Sequence, residues 1–242
     1  MKKIFTLCAM ALMVLATSAQ NLQLHYDLGR HIYPDSEDGR QFLTATFEQF
    51  KADKLGSWFY FIDLDIDTKG MKGAYTEISR EFNFYKIKEA GAFAAHIEYD
   101  GGLSREAGSF HQAALVGVAW NGHNKDFSKT YSLQAMYKHF IDDKNPGHDR
   151  YASFQITGVW GLNFLENKLT FSGFADVWSE KAYWTGNRHI VFLAEPQLWY
   201  NFNNKFSAGT EIELSNNFIY SAVSGKNDKF FVNPTLAVKY NF

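Results

Sequence analysis

KFFVNPTLAVKYNF, Lys229 to Phe242, alternates without a break. Phe230, Val232, Pro234, Leu236, Val238, Tyr240 and Phe242 share one parity; Asn233, Thr235, Ala237, Lys239 and Asn241 share the other. A period of two with one apolar and one polar face is the pattern of a half-buried β-strand. An aromatic final residue on such a strand is the pattern of the closing strand of a bacterial outer-membrane barrel.

The same alternation recurs upstream. It runs through Leu22–Leu28, Trp58–Asp67, Phe93–Asp100, Tyr131–Lys138, Ala152–Leu162, Leu169–Trp178, Ile190–Asn201 and Phe206–Ser215. Segments 40–50, 74–85 and 109–120 are less regular, and Phe42, Phe47 and Phe50 fit a short amphipathic helix as well as a strand. With the last strand the count is about twelve. The predicted fold is all-β: a transmembrane antiparallel β-barrel of about 12 strands, outer-membrane type, over 20–242.

Composition agrees. Aromatics make up 17% of the chain, yet mean hydropathy is only −0.30. Strands that face lipid on one side and polar side chains on the other produce this mixture. No run after the N-terminal segment is long enough for a membrane helix. Lys2 and Lys3, the apolar stretch from Ile4 to Ala16 and the small residues Thr17-Ser18-Ala19 read as a signal peptide over 1–19. Without it, 22 basic residues face 26 acidic ones, about −4 net. Cys8 is the sole cysteine, so the mature chain has no disulfide framework or thiolate metal site.

Connections are expected to alternate in length. Short turns fall near 51–56, 86–91, 165–168 and 203–205; long loops near 31–40, 67–73, 100–108, 142–149, 179–188 and 216–229; and 121–129 is long where a short turn is expected. In an even-stranded barrel both termini are periplasmic, so the short set marks that rim. Trp58, Phe84, Phe93, Trp120, Tyr131, Phe164, Phe171, Phe202, Phe206, Tyr240 and Phe242 lie beside it and form an expected interfacial girdle.

With the apolar parity in lipid, the other parity lines the lumen. The expected pore-lining or solute-binding residues are Phe59, Phe61, Asp63, Asp65, Tyr75, Glu77, Glu81, Glu98, Asp176, Trp178, Glu195, Trp199, Glu211, Glu213 and Lys239. Phe174, Phe231 and Lys138 also point in. An acidic lumen repels anions and admits neutral or cationic solutes. Aromatic faces beside polar acceptors suit flat, uncharged ligands. The same residues could instead pack and hydrogen-bond inside a filled barrel. Arg80 shares the parity of Ile78 and Phe82, and a β-bulge at 79–81 is expected to turn it inward. Lys239, among so many acids, is expected to hold a carboxylate.

SWFYFIDLDIDT (Ser57–Thr68) followed by GAYTEISREFNF (Gly73–Phe84) resembles the Tsx-type nucleoside-specific outer-membrane channels. PQLWYNF (Pro196–Phe202), KFSAGTEIEL (Lys205–Leu214) and NPTLAVKYNF (Asn233–Phe242) extend the resemblance. It implies a monomeric twelve-stranded barrel with a narrow channel, and a nucleoside as solute. The family tends to carry Pro-Arg after the Ser, whereas this chain has Arg80-Glu81.

No catalytic constellation is legible. Asp63 and Asp65 could activate water, but an Asp-x-His partner is missing, His25-Tyr-Asp27 runs in the reverse order, and no Ser lies beside a His at recognisable spacing. His96 reads as a satisfied lumen residue. Alternate acids on a strand do not enclose an ion as a calcium loop does. The expectations are no catalysis, no cofactor, no metal and no nucleic acid. The expected partners are outer-membrane lipid, a small nucleoside-like solute and, through the C-terminal strand, the barrel-assembly machinery. The alternative is a plugged structural or surface-interaction barrel.

Overall fold

The computed structural model describes residues 19–35, 40, 42–88, 90–106, 108–142, 150–182, 186–218 and 230–242. The expected signal peptide, apart from Ala19, lies outside them, as do 36–39, 107, 143–149, 183–185 and 219–229 of the expected loops.

Thirteen strands form one closed antiparallel sheet: β1 (Ala19–Asp27), β2 (Leu43–Ala52), β3 (Gly56–Asp67), β4 (Gly70–Ile87), β5 (Gly91–Ser104), β6 (Gly108–His123), β7 (Lys129–Asp142), β8 (Tyr151–Phe164), β9 (Leu169–Lys181), β10 (Arg188–Ala194), β11 (Gln197–Asn201), β12 (Phe206–Asn216) and β13 (Phe230–Asn241). β1 to β9 pair in chain order, β12 pairs with β13 and β13 with β1, so among the described residues the sheet has no free edge. β10 and β11 both pair with β9 and β12. They are two halves of one staff, broken at Glu195-Pro196, and the barrel has twelve positions. Pro196 has no N–H to give a ladder, which is why the staff breaks there. A four-residue helix α1 (Gly29–Ile32) follows β1.

The alternation read from the sequence sorts the faces. Leu22, Leu24 and Tyr26 are exposed while Gln23, His25 and Asp27 are buried. The exposed set continues round the wall through Ile62, Ile78, Ile97, Val116, Leu133, Ile156, Ile190, Leu198, Leu236 and Val238. An apolar band this continuous on the outside of a closed barrel is a lipid-facing surface. The chain is a barrel of the outer membrane. Most of the expected girdle residues, among them Trp58, Phe93, Tyr131, Phe206 and Phe242, are exposed near the short-turn rim.

Segment 43–52, counted as a strand with a short helix as the alternative, is a strand with a partner on each side. Two expectations need correction. The long loops expected at 67–73 and 100–108 are hairpins: only Thr68 and Lys69 join β3 to β4, and only 105–107 join β5 to β6. Their Gly- and charge-rich residues lie in strands that continue past the membrane, since about 9–11 residues suffice to cross and β4 has 18. Gly70 (φ 102°) closes the first hairpin, and Arg105 bridges the two by bonding Asp67 at 2.6 Å. Finally, Arg80 does not turn inward. Register between β3 and β4 is continuous there, and Arg80 pairs with outward Trp58 and Ile97; the irregularity lies further on, between Asn83 and Tyr85.

Candidate functional site: the lumen

Cross-strand pairing carries the inward set round the barrel. Thr44 opposes Asp65, Thr46 opposes Asp63, Asp63 opposes Tyr75, Phe61 opposes Glu77, and Glu77 opposes Asp100. Glu81 opposes His96, Thr157 opposes Asp176, and Gln197 opposes Glu211. Paired residues of an antiparallel ladder share a face, so these side chains line one interior.

That interior has two unlike walls. From β6 to β10 an apolar cluster of Ala113, Leu115, Met136, Phe140, Tyr151, Trp178, Val191 and Leu193 fills the space, with Phe174 against it. Elsewhere Phe59, Phe61, Asp63, Asp65, Tyr75, Glu77, Glu98, Glu195, Glu211 and Lys239 all retain partial exposure. These ten of the fifteen expected lumen residues point inward and are half-buried. The other five, Glu81, Asp176, Trp178, Trp199 and Glu213, point inward but are buried. Trp178 donates from Nε1 to Glu180 at 2.8 Å, and Trp199 donates to Gln197 at 2.9 Å. Both rings are covered and support the wall.

Along this half-buried wall the aromatic rings form a ladder. Phe59 and Phe61 have centroids 6.1 Å apart, Phe61 and Tyr75 6.0 Å, and Tyr75 and Phe110 6.3 Å with near-parallel planes. Phe110 lies over Gly102, where a Cβ would come within 2.2 Å of the ring. Phe110 belongs to one of the segments of less regular alternation, so its place in the ladder was not legible; the Gly101-Gly102 pair opposite was the available signal.

The acids beside the ladder are held by neutral donors. Thr46 donates to Asp63, Thr44 to Asp65 at 2.9 Å, Tyr75 to Glu77 at 3.0 Å, and Gln197 to Glu211 at 2.6 Å. Glu195 stands at the break between β10 and β11. It lies within electrostatic reach of Glu211 and Glu213 on β12, of Asp63 on β3 and of Glu77 on β4. Acids therefore converge from across the barrel, and Glu195 accepts no hydrogen bond from a described side chain.

Among the described residues, Lys138, Lys239 and Arg40 are bases that enter the lumen. Lys138 bonds Asp100 (2.9 Å) and Gln155 (2.8 Å). Lys239 does not hold a carboxylate: its Nζ lies 4.0 Å from the centre of the Trp199 ring, and no ion pair forms with a described acid. The indole face, edged by His25 at 5.9 Å, takes the ammonium instead. Arg40 is the base that the strand pattern missed. It reaches in from the β1–β2 connection to bond Asp27 at 2.8 Å and Glu213 at 2.6 Å. A single base outside the periodic segments carries no parity, so its destination was not readable. His96 is satisfied as expected, with Glu81 at 3.3 Å and Glu98 at 3.0 Å.

Residues 19–242 match the protein family described as "Domain of unknown function (DUF5020)". No curated protein matches the sequence. Among solved structures, a NanC porin aligns with a TM-score of 0.60 at 10% identity, over 93% of this chain and 100% of that one. A KdgM porin aligns with a TM-score of 0.54 at 9% identity, over 93% and 99%. At such identities the likeness carries the barrel architecture alone.

Proposed function

We propose that the chain, which belongs to the DUF5020 family, forms a narrow outer-membrane channel for small hydrophilic solutes that excludes anions. The observation that carries this reading is the set of inward, partly exposed carboxylates Asp63, Asp65, Glu77, Glu98, Glu195 and Glu211, which among the described residues outnumber the inward bases Lys138, Lys239 and Arg40. Like charges converging in a space with low-dielectric walls repel an entering anion and lower the barrier for a cation or neutral solute.

The ladder of Phe59, Phe61, Tyr75 and Phe110 beside Asp63, Asp65 and Glu77 supports a finer reading. A flat, uncharged, hydroxylated solute stacks on the rings and donates to the carboxylates. Nucleosides meet both conditions; nucleotides also stack, but the acids repel their phosphate charge. Stacking of a base on an aromatic is worth about 1–3 kcal/mol, enough for selective but reversible occupancy. The working unit is a monomer.

The test is planar-bilayer recording of the refolded barrel with nucleosides added to one side. Dose-dependent interruption of current by adenosine or thymidine, with none by the matching monophosphates, is the expected result. Equal block by both would remove the nucleoside reading, and an anion-selective current would remove the channel reading as stated.

One observation favours a second reading, a plugged barrel. Phe231, Asn233, Ser207 and Ser215 on β12 and β13 are fully buried, and Arg40 ties the β1–β2 connection to both Asp27 and Glu213 across that end. A barrel that inserts but never conducts would fit this arrangement.

A further inference from the structure

On the wall of β4 and β5 three carboxylates meet. Glu77 directly opposes Asp100, and Glu98 precedes Asp100 by two residues on the same face. One oxygen from each lies within 4.8 Å of the other two. Oxygens that share a cation at about 2.3–2.6 Å lie at most about 5.2 Å apart, so this spacing admits one ion. Each acid is also anchored by a neighbour. Tyr75 donates to Oε1 of Glu77 at 3.0 Å, His96 Nε2 faces Oε2 of Glu98 at 3.0 Å, and Lys138 donates to Oδ2 of Asp100 at 2.9 Å.

The second observation is at Asp100. Its side chain is 1% exposed, and its Oδ1, unlike the Oδ2 that Lys138 holds, has no hydrogen-bond partner among the described residues. A buried carboxylate oxygen without a partner is costly and is normally satisfied by a proton, a water or an ion. Lys138 faces Asp100 and His96 faces Glu98, so Glu77, held only by the neutral Tyr75 hydroxyl, is the acid of the three without a basic neighbour at bonding distance. A divalent cation would supply that missing charge.

We propose that Glu77, Glu98 and Asp100 form a binding site for a divalent cation of the calcium type. A hard cation prefers carboxylate oxygens, and calcium tolerates the irregular geometry that three acids on two strands impose. Glu77 and Glu98 are partly exposed, so water completes the shell. The site stands whether or not the barrel conducts.

The probe is terbium, a luminescent stand-in for calcium, excited through Tyr75 and Trp178 in the refolded full chain. Saturable luminescence displaced by calcium is expected. Asp100→Asn and Glu77→Gln are each expected to weaken it by about tenfold or more, the scale on which even outer-shell partners of metal ligands act. Glu48→Gln, an inward acid on β2, is expected to leave it unchanged. Absence of saturable luminescence from the wild-type barrel overturns the proposal, as does an equal loss in Glu48→Gln. Folding is checked by heat-modifiable gel mobility; if Asp100→Asn fails to fold, Glu98→Gln takes its place.

Discussion

Arg80 illustrates how one charge is carried on a lipid-facing strand. An outward arginine costs about 2–4 kcal/mol at the bilayer midplane but about 0–1 kcal/mol near the interface. Arg80 lies level with Trp58, beside the short turn, where the cost is small. Its guanidinium sits 5.0 Å from the Trp58 ring and 4.8 Å from the Phe82 ring and donates to Asp53 at 2.9 Å. The bulge expected from the sequence was unnecessary because the rings and the turn carboxylate already shield the charge. Arg80 is buried between these rings, and a desolvated cation–π contact is worth about 2 kcal/mol or more, so Arg80→Ala is expected to cost about 2–4 kcal/mol in urea unfolding from lipid. Asp53 supplies a pH signature. The Arg80 guanidinium, then the amides of Leu55 and Gly56, hold its carboxyl below the ordinary value of 3.8. A carboxyl depressed in the folded state stabilises above its unfolded pKa, and that stability is lost as pH falls through the folded one. Asp53→Asn should therefore lower the urea midpoint at pH 7, and the gap to wild type should close below about pH 4. Arg40 is the opposite case, a charge that parity could not place. Removing one partner of a buried pair costs about 3–5 kcal/mol. Arg40→Ala, which strands Asp27 and Glu213, should show a loss of that size in the same assay.

At the scale of the element, period-two alternation was enough to place most strands, because one face meets lipid and the other a polar interior. It misled where composition mimics a loop, as in Asp67–Gly73 and Asp100–Gly108, since strands outside the membrane need no apolar face. It also hid the break in the tenth staff. Pro196 kept the outward parity of its neighbours, while its missing N–H divided β10 from β11 and set Glu195 facing the other acids. Gly173 makes the break possible. Its φ is 145°, and a Cβ there would lie 2.3 Å from the Glu195 carbonyl oxygen. Gly173→Ala forces either the backbone or the break to move. A loss of about 1–3 kcal/mol is expected, read as a lower urea midpoint, with altered selectivity in the fraction that folds.

For the whole molecule, closure follows from the pairing of β1 with β13, so the stretch that ends on Phe242 joins the first strand to the last. Which residues face inward was legible from parity; which of them meet water was not. That division depends on the apolar filling between β6 and β10, a property of the closed barrel and of no single strand. The central claim is that acids dominate the half-buried inward wall. Its most direct measurement is the reversal potential of the refolded barrel across a potassium chloride gradient, in wild type and Glu195→Gln. A cation-preferring potential that moves toward zero in Glu195→Gln is predicted. An anion-preferring potential, or a wild-type barrel that inserts without conducting, would contradict the account.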